Sequence, residues 1–143
     1  MATDTFSARI LIVDDQDSNV RLLEFALRRG GYVAVTSTSD PLEVCALHRQ
    51  NHYDLILLDL QMPRMSGFEV MEGLANEDKV AVLVLSADPT QRVPALEAGA
   101  RGFLSKPFVL ADVLTRVHLL LRGDTEEPAP ILAAAPAAVL RSI

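Results

Sequence analysis

The run Tyr53-Asp54-Leu55-Ile56-Leu57-Leu58-Asp59-Leu60-Gln61-Met62-Pro63 constrains this chain most. Its four consecutive apolar residues, Leu55 to Leu58, are too few for a helix and lie between polar residues. They predict a strand buried on both faces. Pro63 cannot donate a ladder hydrogen bond, so the strand does not continue as a paired central one. Asp59 therefore sits at the carboxyl end of a buried strand, where open α/β sheets bind ligands. Taken alone, such an aspartate reads more readily as a turn residue capping the next helix, and the rest of the chain decides against that.

Other short apolar runs repeat the pattern. Arg9-Ile10-Leu11-Ile12-Val13 predicts a strand followed at once by Asp14-Asp15, and Val80 to Leu85 predicts one ending in Ser86-Ala87. Gly102-Phe103-Leu104 is a short strand before Ser105-Lys106-Pro107, and Tyr32 to Thr36 alternates enough to suggest an edge strand. Between them lie helical patterns. Asp17 or Ser18 can cap a helix with Val20, Leu23 and Leu27 on one face, ended by Gly30-Gly31. Asp40-Pro41 with Glu43 reads as a capping box leading to about Gln50, with Leu42, Cys45 and Ala46 inward. Ser66 with Glu69 is a second capping box, for a helix to about Asn76. The last helix spans about Val109 to Arg122, with Leu110, Val113, Leu114, Val117 and Leu121 inward. Five β-then-α units predict an α/β fold, a single doubly wound five-stranded parallel sheet with helices on both faces.

The fourth helix is limited by its prolines. Asp88-Pro89 offers a cap and a first-turn proline, but Pro94 would then fall inside the helix at a cost of ~3 kcal/mol. A helix beginning near Arg92 or Val93 and ending near Gly99 avoids that cost and leaves a loose loop beside Ser86.

Composition excludes several classes. A chain of 143 residues supports one domain with its own core. No apolar run approaches the roughly 18 residues of a membrane span, and Met1 to Ser7 lack a signal-peptide core, so no membrane role is expected. The single cysteine, Cys45, fits a core position and a cytoplasmic protein. The formal net charge of −6 argues against direct nucleic-acid binding. His48, His52 and His118 are spaced for helix faces or ends and gather no ligand set. From residue 124 the chain turns acidic and proline-containing, then alanine-rich. The expected division is a domain over 1–123 and a disordered tail or linker stub over 124–143, with Pro136 arguing against one continuous helix there. Docking of Ile131, Leu132, Val139 and Leu140 is the sharper alternative.

The strand ends carry the chemistry. Asp14 and Asp15 follow the first strand, Asp59 the third, Ser86 the fourth and Lys106 the fifth. Neighbouring strands lie ~4.8 Å apart, so these side chains converge if strands one, three and four are adjacent. Two like charges at 4 Å repel by ~4 kcal/mol at an effective dielectric of 20. Three carboxylates together therefore require positive charge: Lys106 supplies one unit, and a hard divalent cation with oxygen ligands supplies the rest. Phosphoryl transfer suits such a site, because its catalysis is mostly positioning and electrostatic stabilisation. Asp59 is the natural nucleophile, with Asp14 and Asp15 better placed to hold metal, Lys106 to pair with a phosphoryl oxygen and the Ser86 hydroxyl to donate to another.

Taken in order, Ile-Leu-Ile-Val-Asp14-Asp15, Asp59-Leu-Gln-Met-Pro63-x-x-x-Gly67, Ser86-Ala87 and Lys106-Pro107-Phe108 resemble the response-regulator receiver domains of two-component signalling, over roughly Ser7 to Arg122. The resemblance implies the flavodoxin-like strand order 2-1-3-4-5 and phosphorylation of Asp59 by a sensor histidine kinase or phosphotransfer protein. It implies Mg²⁺ held by Asp15, Asp59 and the Gln61 backbone carbonyl, with Asp14 acting mainly through water, and a cis Lys106–Pro107 bond. It also implies a switch in which the Ser86 hydroxyl moves inward and the space it vacates admits the Phe103 ring. The family often has Thr at the first of these positions and Tyr at the second. Gln61 and Asp88 fall where such domains tune phosphoryl lifetime. The output would be a downstream protein or domain, with a homodimer through the fourth helix, fifth strand and fifth helix as one form.

Such a domain is no enzyme on free substrates and promotes only its own phosphorylation and dephosphorylation. An aspartate-nucleophile phosphatase would need a second Asp two residues after the nucleophile, where this chain has Gln61. In a flavin-binding module the paired acids would repel the cofactor phosphate. A receiver fragment whose output lies beyond Ile143 is the remaining alternative, since residues 123–143 resemble no DNA-binding or catalytic domain.

Overall fold

A computed structural model describes residues 5–77 and 79–123. The expectations for the tail, including the domain boundary at 123, fall on residues outside that range. Five strands, β1 (Arg9–Val13), β2 (Ala34–Thr38), β3 (Leu55–Asp59), β4 (Ala81–Ser86) and β5 (Gly102–Ser105), form one sheet in the order β2-β1-β3-β4-β5. Every pairing is parallel. The helices are α1 (Asp17–Arg29), α2 (Val44–Asn51), α3 (Gly67–Leu74), α4 (Arg92–Glu97) and α5 (Leu110–Leu121).

Successive side chains of a strand point to opposite faces, and the core divides accordingly. Leu11, Val13, Ile56, Leu58, Val82, Val84 and Phe103 join Val44, Val70, Met71, Leu74 and Ala95 of α2, α3 and α4. Ile10, Ile12, Leu55, Leu57, Leu83, Leu85 and Leu104 join Leu23, Leu27, Val113, Val117 and Leu120 of α1 and α5. Both faces are covered, which explains why β3 is apolar without alternation; each fully buried leucine contributes about 1.5–3 kcal/mol. Because β1 lies between β2 and β3, the chain reverses its direction of travel across the sheet there. The crevice at that reversal opens at the carboxyl ends of β1 and β3.

Several local expectations need correction. Neither Asp17 nor Ser18 caps α1: Gln16 holds that position without a side-chain cap bond to the helix backbone, and Asp17 begins the helix. Its far end is as expected, with Gly31 at a φ of 103° that an L side chain would resist. β2 is an edge strand, as read, but begins two residues later. Asp40 caps a 3₁₀ turn, Pro41–Glu43, and accepts from the Leu42 N–H. Glu43 closes no capping box; it accepts from the Thr38 hydroxyl, which in turn accepts the Asp40 N–H. A 3₁₀ turn advances about 120° per residue rather than 100°, so the inward face of α2 is rotated. Val44 and His48 are buried, Leu42 is 58% exposed and Ala46 faces solvent. Cys45 is half-buried. The box of Ser66 and Glu69 is present in both directions, although α3 ends at Leu74 rather than Asn76. In α5, Leu120 is buried and Leu121 only partly so.

α4 starts at Arg92 as expected and stops at Glu97, short of Gly99. Pro94 is its third residue, where a missing N–H belongs to the set without intrahelical partners. The preceding stretch is not a loose loop. Pro89–Gln91 form a 3₁₀ turn whose cap, Asp88, accepts from both the N–H and the hydroxyl of Thr90. Among the described residues no helix is long and apolar enough to cross a membrane.

Candidate functional site at the sheet reversal

Three strand ends and one loop build the site. Asp14 directly follows β1 and is 0% exposed, Asp59 ends β3 and is 4% exposed, and Asp15 faces solvent. One carboxylate oxygen from each of Asp14, Asp15 and Asp59 falls within 4.8 Å of the others. Lys106 reaches in from the loop after β5, with Nζ 3.3 Å from Asp14 Oδ2 and 3.4 Å from Asp59 Oδ1. The strand ends hold this loop in place, since the Lys106 N–H donates to the Ser86 carbonyl at 2.8 Å. The Lys106–Pro107 bond is cis, as expected.

The acidic cluster is only partly neutralised by its surroundings. Asp14 Oδ1 accepts the Gln16 N–H at 2.9 Å and Asp59 Oδ1 accepts the Gln61 N–H at 3.1 Å. Burial pushes the Asp59 carboxyl above the ordinary aspartate range and the neighbouring Asp14 charge adds to the rise. The Gln61 N–H and the Lys106 ammonium act in the opposite direction without cancelling it. Oxygen donors alone, with excess negative charge, match a hard divalent cation rather than zinc or another soft metal.

The turn after β3 is pressed against the site. A Cβ added at Gly67 would lie 2.7 Å from the Leu60 Cα and 2.8 Å from the Asp59 carbonyl oxygen. The Gly67 N–H also donates to the Leu60 carbonyl at 3.0 Å. The start of α3 therefore lies against the backbone that carries Asp59. Beside the cluster, a cleft of about 340 Å³ is lined by Gln16, Asn19, Leu22, Ala87, Pro107 and Phe108 together with Lys106.

Ser86 is buried at the end of β4, but its hydroxyl is engaged away from the carboxylates. It donates to Gln91 Oε1 and accepts the Asp88 N–H at 3.1 Å. Phe103 is buried in the same apolar cluster as Val84 and Ala95. Sequence reasoning missed Gln91. Its only signal is an amide five residues beyond Ser86, at the end of a turn opened by Pro89.

The histidines stay apart from this site. His48 is a buried residue of α2 whose Nδ1 accepts the Tyr53 N–H at 3.1 Å, and His52 ends that helix in a left-handed conformation. His118 faces solvent on α5.

Comparison with known proteins agrees with this geometry. A family model described as the response regulator receiver domain matches residues 10–118. The transcriptional regulatory protein PrrA of Mycobacterium tuberculosis is 42% identical over 125 residues, covering 85% of this chain and 53% of that protein. The DNA-binding response regulator MtrA of Mycolicibacterium smegmatis is 35% identical over 131 residues, covering 90% of this chain and 57% of that protein. The chain thus spans about half the length of the curated relatives it matches. Among solved structures, the chemotaxis response regulator CheY4 of Vibrio cholerae aligns with a TM-score of 0.70 at 30% identity, covering 78% of this chain and 98% of that one. The receiver domain of the Francisella response regulator 1452 aligns with a TM-score of 0.75 at 25% identity, covering 82% and 98%. With its parallel sheet in the order 2-1-3-4-5 and its acidic crevice, this chain belongs to the response-regulator receiver domains of two-component systems.

Proposed function

We propose that the domain takes a phosphoryl group from a histidine kinase or phosphotransfer protein onto Asp59, with Mg²⁺, and thereby changes a partner-binding face. The observation that carries this reading is the buried Asp59 carboxylate, gathered with Asp14 and Asp15 within 4.8 Å and paired to Lys106 at 3.4 Å. In the transfer, an Asp59 carboxylate oxygen forms the new P–O bond as the P–N bond to the donor imidazole breaks. The bonding pair goes to that nitrogen. A carboxylate needs no general base for this step.

Asp15, Asp59 and the Gln61 backbone carbonyl would hold Mg²⁺, with Asp14 acting through water. Bound there, it supplies positive charge between carboxylates and phosphoryl oxygens. Both oxygens of Asp14 are already engaged, by the Gln16 N–H and by Lys106, which favours the indirect role. Lys106 pairs with a phosphoryl oxygen, and Ser86 donates to another once its hydroxyl turns. The cleft lined by Leu22, Pro107 and Phe108 gives a donor side chain an approach to Lys106. Hydrolysis of the acyl phosphate by water restores the Asp59 carboxylate, so the domain promotes its own phosphorylation and dephosphorylation. The output is carried by a partner protein or by a further domain, as in the relatives whose names describe DNA-binding regulators. The face of α4, β5 and α5 is the surface that changes, and a homodimer through it is one form of the output.

The test is intact-mass measurement after incubation with a small phosphodonor such as acetyl phosphate. One phosphoryl group should be added in the presence of Mg²⁺ and none after its removal by EDTA. The Asp59→Asn variant should take up none. Uptake by that variant at the wild-type rate would refute the assignment.

A further inference from the structure

We propose that Gln91 is a positioning residue of the phosphorylation site: its side-chain amide holds the Ser86 hydroxyl away from Asp59, and phosphoryl binding must break that hold. The inference rests on the function proposed above and adds a residue to it. Ser86 has one proton to donate, and in this structure it is given to Gln91 Oε1. The Asp88 N–H occupies an acceptor site on the same oxygen, which fixes the rotamer from the other side. A phosphoryl oxygen on Asp59 can receive the Ser86 proton only if the bond to Gln91 is given up. The two acceptors therefore compete for one donor.

Gln91 is placed for this role by its backbone. It closes the Pro89–Gln91 turn, and its N–H donates to the Asp88 carbonyl at 3.1 Å. Asp88 itself is tied to Thr90 by two bonds, so the turn is held at both ends. Arg92, the next residue, begins α4. Release of the Gln91 side chain thus loosens a link between the end of β4 and the turn that leads into α4. The competition for the Ser86 proton therefore couples the phosphorylation site to the turn before α4.

Beryllofluoride, which binds a carboxylate as a phosphoryl mimic, is the probe. Its affinity is measured with Mg²⁺ on the intact chain, beside denaturation midpoints that verify folding. Removing one competing hydrogen bond should tighten binding about fivefold in Gln91→Ala and in Gln91→Met, which keeps the side chain's length. Gln91→Glu keeps an acceptor for Ser86 and should bind no more tightly than wild type. In a Ser86→Ala background the Gln91→Ala gain should vanish, because the two residues act through one bond. Unchanged affinity in both Gln91→Ala and Gln91→Met, a gain equal in Gln91→Glu, or a gain that survives in Ser86→Ala would overturn the inference while leaving Asp59 as phosphoacceptor. No Mg²⁺-dependent binding to wild type, with Asp59→Asn behaving identically, would overturn both.

Discussion

Replacing Asp59 by asparagine should make the metal-free protein more stable, although it removes the proposed phosphoacceptor. Asp59 lies within 4.8 Å of carboxylate oxygens of Asp14 and Asp15 and 3.4 Å from Lys106. At an effective dielectric of 20 each like-charge pair at that separation costs ~3.5 kcal/mol, while the lysine contact returns ~5 kcal/mol. The carboxylate is left with a net penalty of ~2 kcal/mol before solvent screening at the exposed Asp15. Asparagine is nearly isosteric, and its side-chain oxygen can still accept the Gln61 N–H. A gain of about 1–2 kcal/mol is therefore expected at pH 7 in EDTA, equivalent to about 4 °C in Tm per kcal/mol for a chain of this size. The sign with pH follows from the raised Asp59 value. Between the unfolded and the folded pKa the native state binds more protons than the unfolded one, so the wild type is favoured at low pH and loses this contribution as pH rises through the folded value. The advantage of asparagine should shrink as pH falls through that window. Urea denaturation of both proteins from pH 4 to 8, with EDTA and again with Mg²⁺, provides the measurement. Mg²⁺ should stabilise the wild type more than the variant. A variant no more stable than wild type at pH 7 without metal would refute the charge-crowding argument.

Other expectations follow from single contacts. Lys106→Ala removes a cation from among the carboxylates, so Mg²⁺ should bind at least as tightly as in wild type while the phosphorylated form no longer switches; clearly weaker binding in a calorimetric titration would contradict this. Gly67→Ala would drive a methyl group to 2.7 Å from the Leu60 Cα and 2.8 Å from the Asp59 carbonyl, both backbone atoms. It should cost about 1–3 kcal/mol and displace the Asp59 backbone, which denaturation and amide chemical shifts at Leu60 would report. Ser66→Ala removes the α3 capping box and should cost about 1 kcal/mol by denaturation, with phosphodonor reactivity retained.

What could be read from the chain alone follows from how local each determinant is. The buried strands were visible because β3 and β4 are covered on both faces, which leaves continuous apolar runs. Each run ends abruptly in a polar residue, so Asp14, Asp15, Asp59 and Ser86 could be assigned to one edge of the sheet before their distances were known. The start of α4 was also legible, since Pro94 excludes a longer helix. The inward face of α2 was not, because whether Asp40-Pro41 opens an α-helix or a 3₁₀ turn depends on Thr38, whose hydroxyl engages both Asp40 and Glu43. The packing of Phe103 against Val84 and Ala95 has no sequence period that would announce it. The bond from Ser86 to Gln91 joins two polar residues across a turn, and polar residues in a turn are ordinarily solvated.

The central claim is that one carboxylate of three, Asp59, becomes the acyl phosphate. Borohydride reduces an aspartyl phosphate to homoserine and leaves free carboxylates unchanged, so it marks the acceptor within the sequence. The wild-type protein is treated with acetyl phosphate and Mg²⁺, reduced, digested and sequenced by tandem mass spectrometry. Homoserine should be found at position 59 and not at position 14 or 15, and it should disappear when EDTA replaces Mg²⁺. Homoserine at position 14 or 15, or labelling of position 59 that does not depend on Mg²⁺, would contradict the account.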